Sequence, residues 1–377
     1  MRVGLNLLYF IPGQGGVETF GRELVRALSE TAADDDEFVL FTSLDGREFT
    51  EHLCPRVKVV VCPFHAQRRS IRYLWEQFVL PWQALAHGVD MLHSLAYVGP
   101  VLSFVPAMLT IHDANTRTVE MNTLRRLVLW NVSLWAARRA KLVTTVSRFS
   151  RGELIKWYGL PELRIRVIAS GPGTSIAASD PVDAREFLCA LGIKEPYIAV
   201  IGGTYPHKNI SRVIESFQRI ASQVPHRLIV IGKIPLEVQA LVDHFATRSI
   251  LVTGYLPSNV MSAVIAHSDL FVMPSLYEGF GLPVLEAQAH GVPVACSNAG
   301  SLPEVTKDSA TLFNPESIEE MASVLARCLT DRALNQELRR RSRVNAASYS
   351  WKTAAGAYRE CYRQVTANTT AIVKHGF

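Results

Sequence analysis

Short, uninterrupted apolar runs alternate with amphipathic segments from the start of the chain: runs at 3–9, 38–41, 57–61 and 108–112, amphipathic stretches at 17–30, 71–87 and 124–140. A strand with one face in water alternates apolar and polar residues, whereas a strand covered on both faces reads as one apolar run. The first half is therefore expected to be α/β with a parallel sheet. After an apolar run at 165–168 comes SGPGTSIAASDP at 170–181, rich in small residues and poor in bulky apolar ones, which reads as a linker. The alternation then restarts at 197–201 and continues to 294–296. Two tandem, doubly wound, Rossmann-like domains are predicted, at 1–172 and 173–350. Open sheets of this kind bind ligands outside the carboxyl ends of their strands, so two of them are expected to face a cleft.

Composition removes several alternatives. A length of 377 residues suits about two domains, and 48% hydrophobic with 19% charged residues excludes a disordered chain. A net charge of +5 is too small to imply nucleic acid as a partner. The six cysteines include no CxxC pair, which points to reduced thiols in a cytoplasmic protein. The first residues, MRVGLNLLYF, read as a strand and not as a signal peptide. The longest apolar stretch, 97–111, is broken by Pro100 and Pro106 and is shorter than the roughly 20 residues a spanning helix needs, so no transmembrane segment is expected.

Three loops carry the chemistry. Pro12-Gly-Gln-Gly-Gly16 precedes a helix, where glycines let amides approach an anion. Its third dinucleotide-type position is Glu18, so a nicotinamide site is poorly supported, and a plain turn is as good a reading. Ile201-Gly-Gly-Thr-Tyr-Pro-His-Lys-Asn209 repeats the strand–glycine turn with a cation, Lys208, before a helix, where it could serve a diphosphate with His207 assisting. The third is Pro274-Ser-Leu-Tyr-Glu-Gly-Phe-Gly-Leu-Pro-Val-Leu-Glu286. Glu278 and Glu286 bracket a glycine turn, with Glu286 expected about two helical turns along. Gly279 and Gly281 leave the amides of Phe280, Gly281 and Leu282 to bind oxygen atoms. Two carboxylates around such a turn suit a ligand with hydroxyls at both ends and negative charge between them, as in a nucleotide sugar.

Residues 274–294 resemble the retaining glycosyltransferases of family 4, whose motif reads PSxxEGFGLPxLEAxAxGxPV. The resemblance extends to Gly15-Gly16-Val17-Glu18, Ile111-His112-Asp113, Lys208-Asn209, Gly254-Tyr255 and the segment Gly300–Val305. It implies the two-domain GT-B architecture, with a final helix at 351–377 crossing back to the first domain after Tyr349-Ser-Trp351. Carried over by position, Glu278 would hold sugar hydroxyls and Glu286 the ribose. Lys208, with Gly203, His207 and the amides near Gly281 and Leu282, would face the diphosphate. His112 would contact the donor sugar, Gly15 and Gly16 the phosphate and acceptor side, and backbone at Tyr255 and Leu256 the base. The catalytic set would be His112, Glu278 and Lys208. Two departures stand out: Gly203 replaces an arginine common in relatives, leaving Lys208 as the main cation unless His207 or Arg212 compensates, and Ser170-Gly-Pro-Gly-Thr174 replaces an Asn-Gly-Val-Asp linker.

The expected activity is retaining transfer of a hexose, mannose-like by resemblance, from a nucleoside-diphosphate sugar (GDP before UDP) to a glycan or lipid-linked acceptor. Two alternatives are a nucleotide-sugar epimerase of the same architecture and a non-catalytic nucleotide-sugar-binding subunit. No cofactor or metal is expected: the eleven histidines lack metal-ligand spacing, and Asp34-Asp35-Asp36 reads as a solvated loop. Between Met121 and Arg151 seven basic residues (Arg125, Arg126, Arg138, Arg139, Lys141, Arg148, Arg151) occur without an acid, alongside Trp130 and Trp135. Arg68, Arg69, Arg72, Trp75 and Trp82 share that character, so an anionic membrane surface is a second expected partner, against a plain solvated face.

Overall fold

The computed structural model describes residues 1–13, 15–51, 53, 56–114, 123–173, 181–245 and 249–374. The chain divides into two compact units, Met1–Ser170 with Ser350–Phe377, and Gly171–Tyr349. The boundaries read from sequence were 172/173 and 350/351.

In the first unit seven parallel strands lie in the order β3-β2-β1-β4-β5-β6-β7. They are β1 (Arg2–Leu7), β2 (Glu37–Thr42), β3 (Val57–Val61), β4 (Met91–Ser94), β5 (Ala107–Thr110), β6 (Leu142–Thr145) and β7 (Ile165–Val167). The second unit holds six, in the order β10-β9-β8-β11-β12-β13. These are β8 (Tyr197–Ile201), β9 (Arg227–Ile231), β10 (Ile250–Gly254), β11 (Leu270–Met273), β12 (Val294–Ser297) and β13 (Thr311–Phe313). Both faces of this sheet are buried. Ile198, Val200, Leu270 and Val272 pack one way with Val213 and Phe217 of helix Ile210–Ile220, while Tyr197, Ala199, Phe271 and Met273 pack the other way with Val284. That two-sided burial is why these strands read as continuous apolar runs. The strand order reverses between β1 and β4 in one sheet and between β8 and β11 in the other, so each sheet opens a crevice there at its carboxyl edge.

β4 and β6 are short strands that the apolar pattern does not reveal, because half of each is polar. His93 and Thr144 are fully buried and satisfied by one another's neighbours: His93 Nε2 lies 2.8 Å from Thr110 Oγ1, which lies 2.7 Å from Thr144 Oγ1. The ladder ends on the C-terminal helix, Trp351–Lys374, where the Tyr362 hydroxyl lies 2.9 Å from His93 Nδ1. Trp351 of that helix packs edge-on against Phe20 at 5.6 Å, and Tyr358 and Tyr362 are fully buried. These contacts place the C-terminal helix in the first unit.

Two expectations change. The amphipathic stretch 71–87 is not one regular helix: Arg69–Leu74 and Leu80–Ala86 flank a π-helical turn, Trp75–Val79, an insertion often found at functional surfaces. Asp36 is not solvated; it is 2% exposed and lies 3.7 Å from Arg359 of the C-terminal helix. Among the described residues five cysteines are unpaired, no group of three or more His, Cys, Asp or Glu could hold a metal ion, and no helix is long and apolar enough to cross a membrane.

Candidate functional site

The β8/β11 crevice brings together the two loops singled out in the second half of the sequence. β8 ends at Ile201 and leads through Gly202 and Gly203 to a short turn, Pro206–Lys208. β11 ends at Met273 and leads through 274–281 to helix Leu282–Ala289. A backbone bond from Leu276 N–H to the His207 carbonyl (2.8 Å) ties the loops together. Across them Lys208 Nζ donates to Glu278 Oε1 at 2.8 Å, with the side chains 21% and 14% exposed. Residues read separately from sequence, one for phosphate and one for sugar, thus form a single half-buried ion pair.

Gly203 lies beneath this lysine: a Cβ there would sit 3.1 Å from Lys208 Cγ, so the small residue makes room for the lysine stem. Of the two proposed substitutes for the missing arginine, His207 brings no charge at pH 7 and Arg212 has an N–H engaged by Asn209. Burial, reinforced by the Lys208 charge, lowers the His207 pKa below its ordinary value and keeps the imidazole neutral at pH 7. Arg212 donates to Asn209 Oδ1 at 2.9 Å, and Asn209 in turn donates to the carbonyls of Pro274 (3.0 Å) and Pro315 (2.8 Å). Arg212 and Asn209 therefore brace the loops.

Glu278 is held from behind by a segment the motif analysis assigned no role. Ser301 donates to the Glu278 carbonyl through its amide (3.1 Å) and its hydroxyl (2.9 Å). Gly300 makes that approach feasible: its φ is 64°, and a Cβ would fall 2.8 Å from the Glu278 N and O atoms. The signal was present in sequence as Gly300-Ser301-Leu302-Pro303 after a strand.

Helix Leu282–Ala289 begins at Leu282 behind its cap, Gly281, so Glu286 is one turn in and not two. Phe280 and Leu282 are buried, and Phe280 packs edge-on against Tyr349 at 5.9 Å, which anchors the Gly279–Gly281 turn. The altered linker does touch the site: a Cβ on Gly173 would lie 2.3 Å from Glu286 Oε1. A side chain at 173 would therefore displace the Glu286 carboxylate. Tyr255 is exposed and follows Gly254 at the end of β10, while Leu256 is partly buried against the core of the second unit.

In the first unit Gly15 and Gly16 are exposed at the start of helix Gly16–Glu30, and Phe20 of that helix packs edge-on against His112 at 4.5 Å. His112 follows β5, is 7% exposed, and donates from Nε2 to the Leu95 carbonyl (3.1 Å). Burial pushes its pKa down to about 4, against the smaller opposing effect of that hydrogen bond. The imidazole is therefore neutral at pH 7. Histidine NMR should show His112 titrating near 4; a midpoint near the ordinary value of about 6.5 would contradict the buried geometry. Of the basic stretch, Met121 and the side chain of Arg125 lie outside the described residues. Trp130 packs on Tyr158 at 4.7 Å as part of the core, and Trp135 is exposed beneath Arg138.

The model described as glycosyl transferases group 1 matches residues 190–347, and that described as Glycosyltransferase Family 4 matches residues 14–172. O-antigen chain mannosyltransferase B of Escherichia coli is 31% identical over 255 residues, covering 65% of this chain and 67% of that protein. Serotype-specific mannosyltransferase WbdA, also of Escherichia coli, is 29% identical over 319 residues, covering 81% of this chain and 36% of the relative, so this chain spans about a third of WbdA's length. Among solved structures, Alr3699/HepE of Anabaena in complex with UDP and glucose has a TM-score of 0.72 at 18% identity, covering 97% of this chain and 100% of that one. Two parallel doubly wound sheets with these matches define a glycosyltransferase of GT-B fold. The chain belongs to glycosyltransferase family 4.

Proposed function

We propose that this glycosyltransferase acts in polysaccharide or lipopolysaccharide assembly, moving a mannose-like hexose from a GDP-sugar to a glycan or lipid-linked acceptor with retention and without a metal ion. The Lys208–Glu278 pair at the β8/β11 crevice carries this reading. A diphosphate entering the crevice takes Lys208 as its cation and the Gly281 and Leu282 amides as donors. Glu278 then turns to sugar hydroxyls, and Glu286 accepts from the ribose. That both Escherichia coli relatives are mannosyltransferases supports mannose, and the UDP and glucose held by the Anabaena protein support a nucleotide sugar as donor.

In the step proposed, the bond from the anomeric carbon to the diphosphate breaks as the acceptor oxygen bonds to the same face. The acceptor proton passes to a departing phosphate oxygen. Lys208 stabilises the charge that grows there, a term preorganised donors supply without reorganisation. Transfer with GDP-mannose should persist in EDTA, and product NMR should show the donor's anomeric configuration. Loss of turnover on chelation, rescued by Mg²⁺, would overturn the metal-independent part, and an inverted product the retaining part. A product still bearing its nucleotide would instead identify an epimerase.

Glu286→Ala should weaken GDP binding about ten- to a hundredfold, the loss of a charge-assisted bond worth about 1.5 to 3 kcal/mol. Gly173→Ala should weaken it in the same direction by displacing that carboxylate. Calorimetry with GDP alone checks both, and unchanged affinity in Glu286→Ala would remove Glu286 from the ribose.

A further inference from the structure

The helical run 69–86 in the first unit has two apolar faces, and the fold uses one. Inward, Leu80 and Ala84 are buried and Trp75 packs against Phe64 at 5.3 Å. Outward, Ile71, Leu74, Phe78, Trp82 and Leu85 recur at spacings of three and four residues, with exposures from 40% at Ile71 to 68% at Phe78. The π-helical turn at Trp75–Val79 lies in the middle of this stripe. The loop 99–106, which has no charged residue, widens it: Leu102 and Phe104 are 66% and 55% exposed, and the Phe104 ring lies 4.4 Å from Trp82. Seven large side chains exposed to this degree form a patch of several hundred Å², the size at which exposed apolar surface on a protein has a use.

Charge identifies the occupant. Arg68 and Arg69 are exposed at the amino end of the stripe. From Cys62 to Val89 the only acid is Glu76, and it is 1% exposed. A second copy docking by the same face would offer Arg68 and Arg69 no exposed acid from this run. An anionic lipid surface offers both an apolar layer for the stripe and negative headgroups for the arginines, with Trp82 placed as tryptophan is at such interfaces.

We propose that the face formed by 69–86 and 99–106 docks the first unit onto an anionic lipid surface. It differs from the 121–151 stretch favoured by sequence, whose Trp130 is committed to the core. Docking here does not depend on the donor reading, since every residue involved lies in the first unit.

Sedimentation of the full chain with vesicles tests the proposal. Binding to phosphatidylglycerol vesicles is expected, with little to phosphatidylcholine. It should fall at least tenfold in F78S/W82S, and severalfold in R68S/R69S or at raised salt. All four side chains are exposed, so both variants should keep the parent's thermal transition, which shows that any loss comes from the surface. Four results would overturn the proposal: no binding to either vesicle, equal binding to both, parental binding by F78S/W82S, or a dimer abolished by F78S/W82S without vesicle binding. Loss of binding on substituting Arg126, Arg138 and Arg139 alone would also overturn it, by placing the contact on helix Thr123–Arg139.

Discussion

Lys208→Met should lower transfer about a hundred- to a thousandfold while leaving the fold in place. The estimate follows from the role proposed for the ammonium: removing one preorganised donor from the site of developing negative charge costs about 3 to 4 kcal/mol of barrier. His207, kept neutral by burial and by Lys208 itself, cannot take its place, and Arg212 has an N–H engaged by Asn209. The substitution also leaves Glu278 without its 2.8 Å partner, so some stability is lost as well. Adding Glu278→Gln to Lys208→Met removes that uncompensated carboxylate. The double variant should regain stability in a urea titration yet recover no turnover. Recovery of turnover would mean that the pair serves only to hold the loops.

Ending the chain at Tyr349 should unfold the first unit. The C-terminal helix buries Trp351, Tyr358 and Tyr362 there, each worth about 1.5 to 3 kcal/mol by apolar burial, against a typical domain stability of about 5 to 15 kcal/mol. Removal also takes the Tyr362 hydroxyl from buried His93 and the Arg359 guanidinium from buried Asp36. Phe20 would lose Trp351 on one side while still touching His112 on the other, so the histidine's setting would loosen too. Calorimetry should show the transition of the first unit gone and that of the second, whose core lies within 171–349, retained. Two parental transitions in the shortened chain would contradict this account of the helix.

The α/β class was legible because both faces of the sheets are buried, so β8, β9 and β11 read as plain apolar runs. β4 and β6 were not legible: they carry His93 and Thr144, whose partners come from β5 and from a helix some 270 residues away in sequence, |i−j| = 269 for His93 and Tyr362. Buried polar strands reveal themselves only once their partners are placed. In the second unit the motif named two loops that the fold brings together at the β8/β11 crevice, where Lys208 meets Glu278. It could not show that Lys208 and Glu278 pair, that Ser301 fixes the Glu278 backbone, or that Gly173 of the linker lies against Glu286. Those are contacts between loops that follow different strands, set by strand order. The stripe at 69–86 was half visible: its arginines and Trp82 stood out in the sequence, whereas which apolar residues face out depends on the π-helical turn.

The measurement that bears most directly on the central claim is calorimetric titration of the chain with GDP in EDTA, run beside Lys208→Met and Glu286→Ala. The proposed site predicts one nucleotide per chain, bound without metal and weakened in both variants. Absence of binding by GDP and UDP alike, or binding that neither substitution weakens, would contradict it.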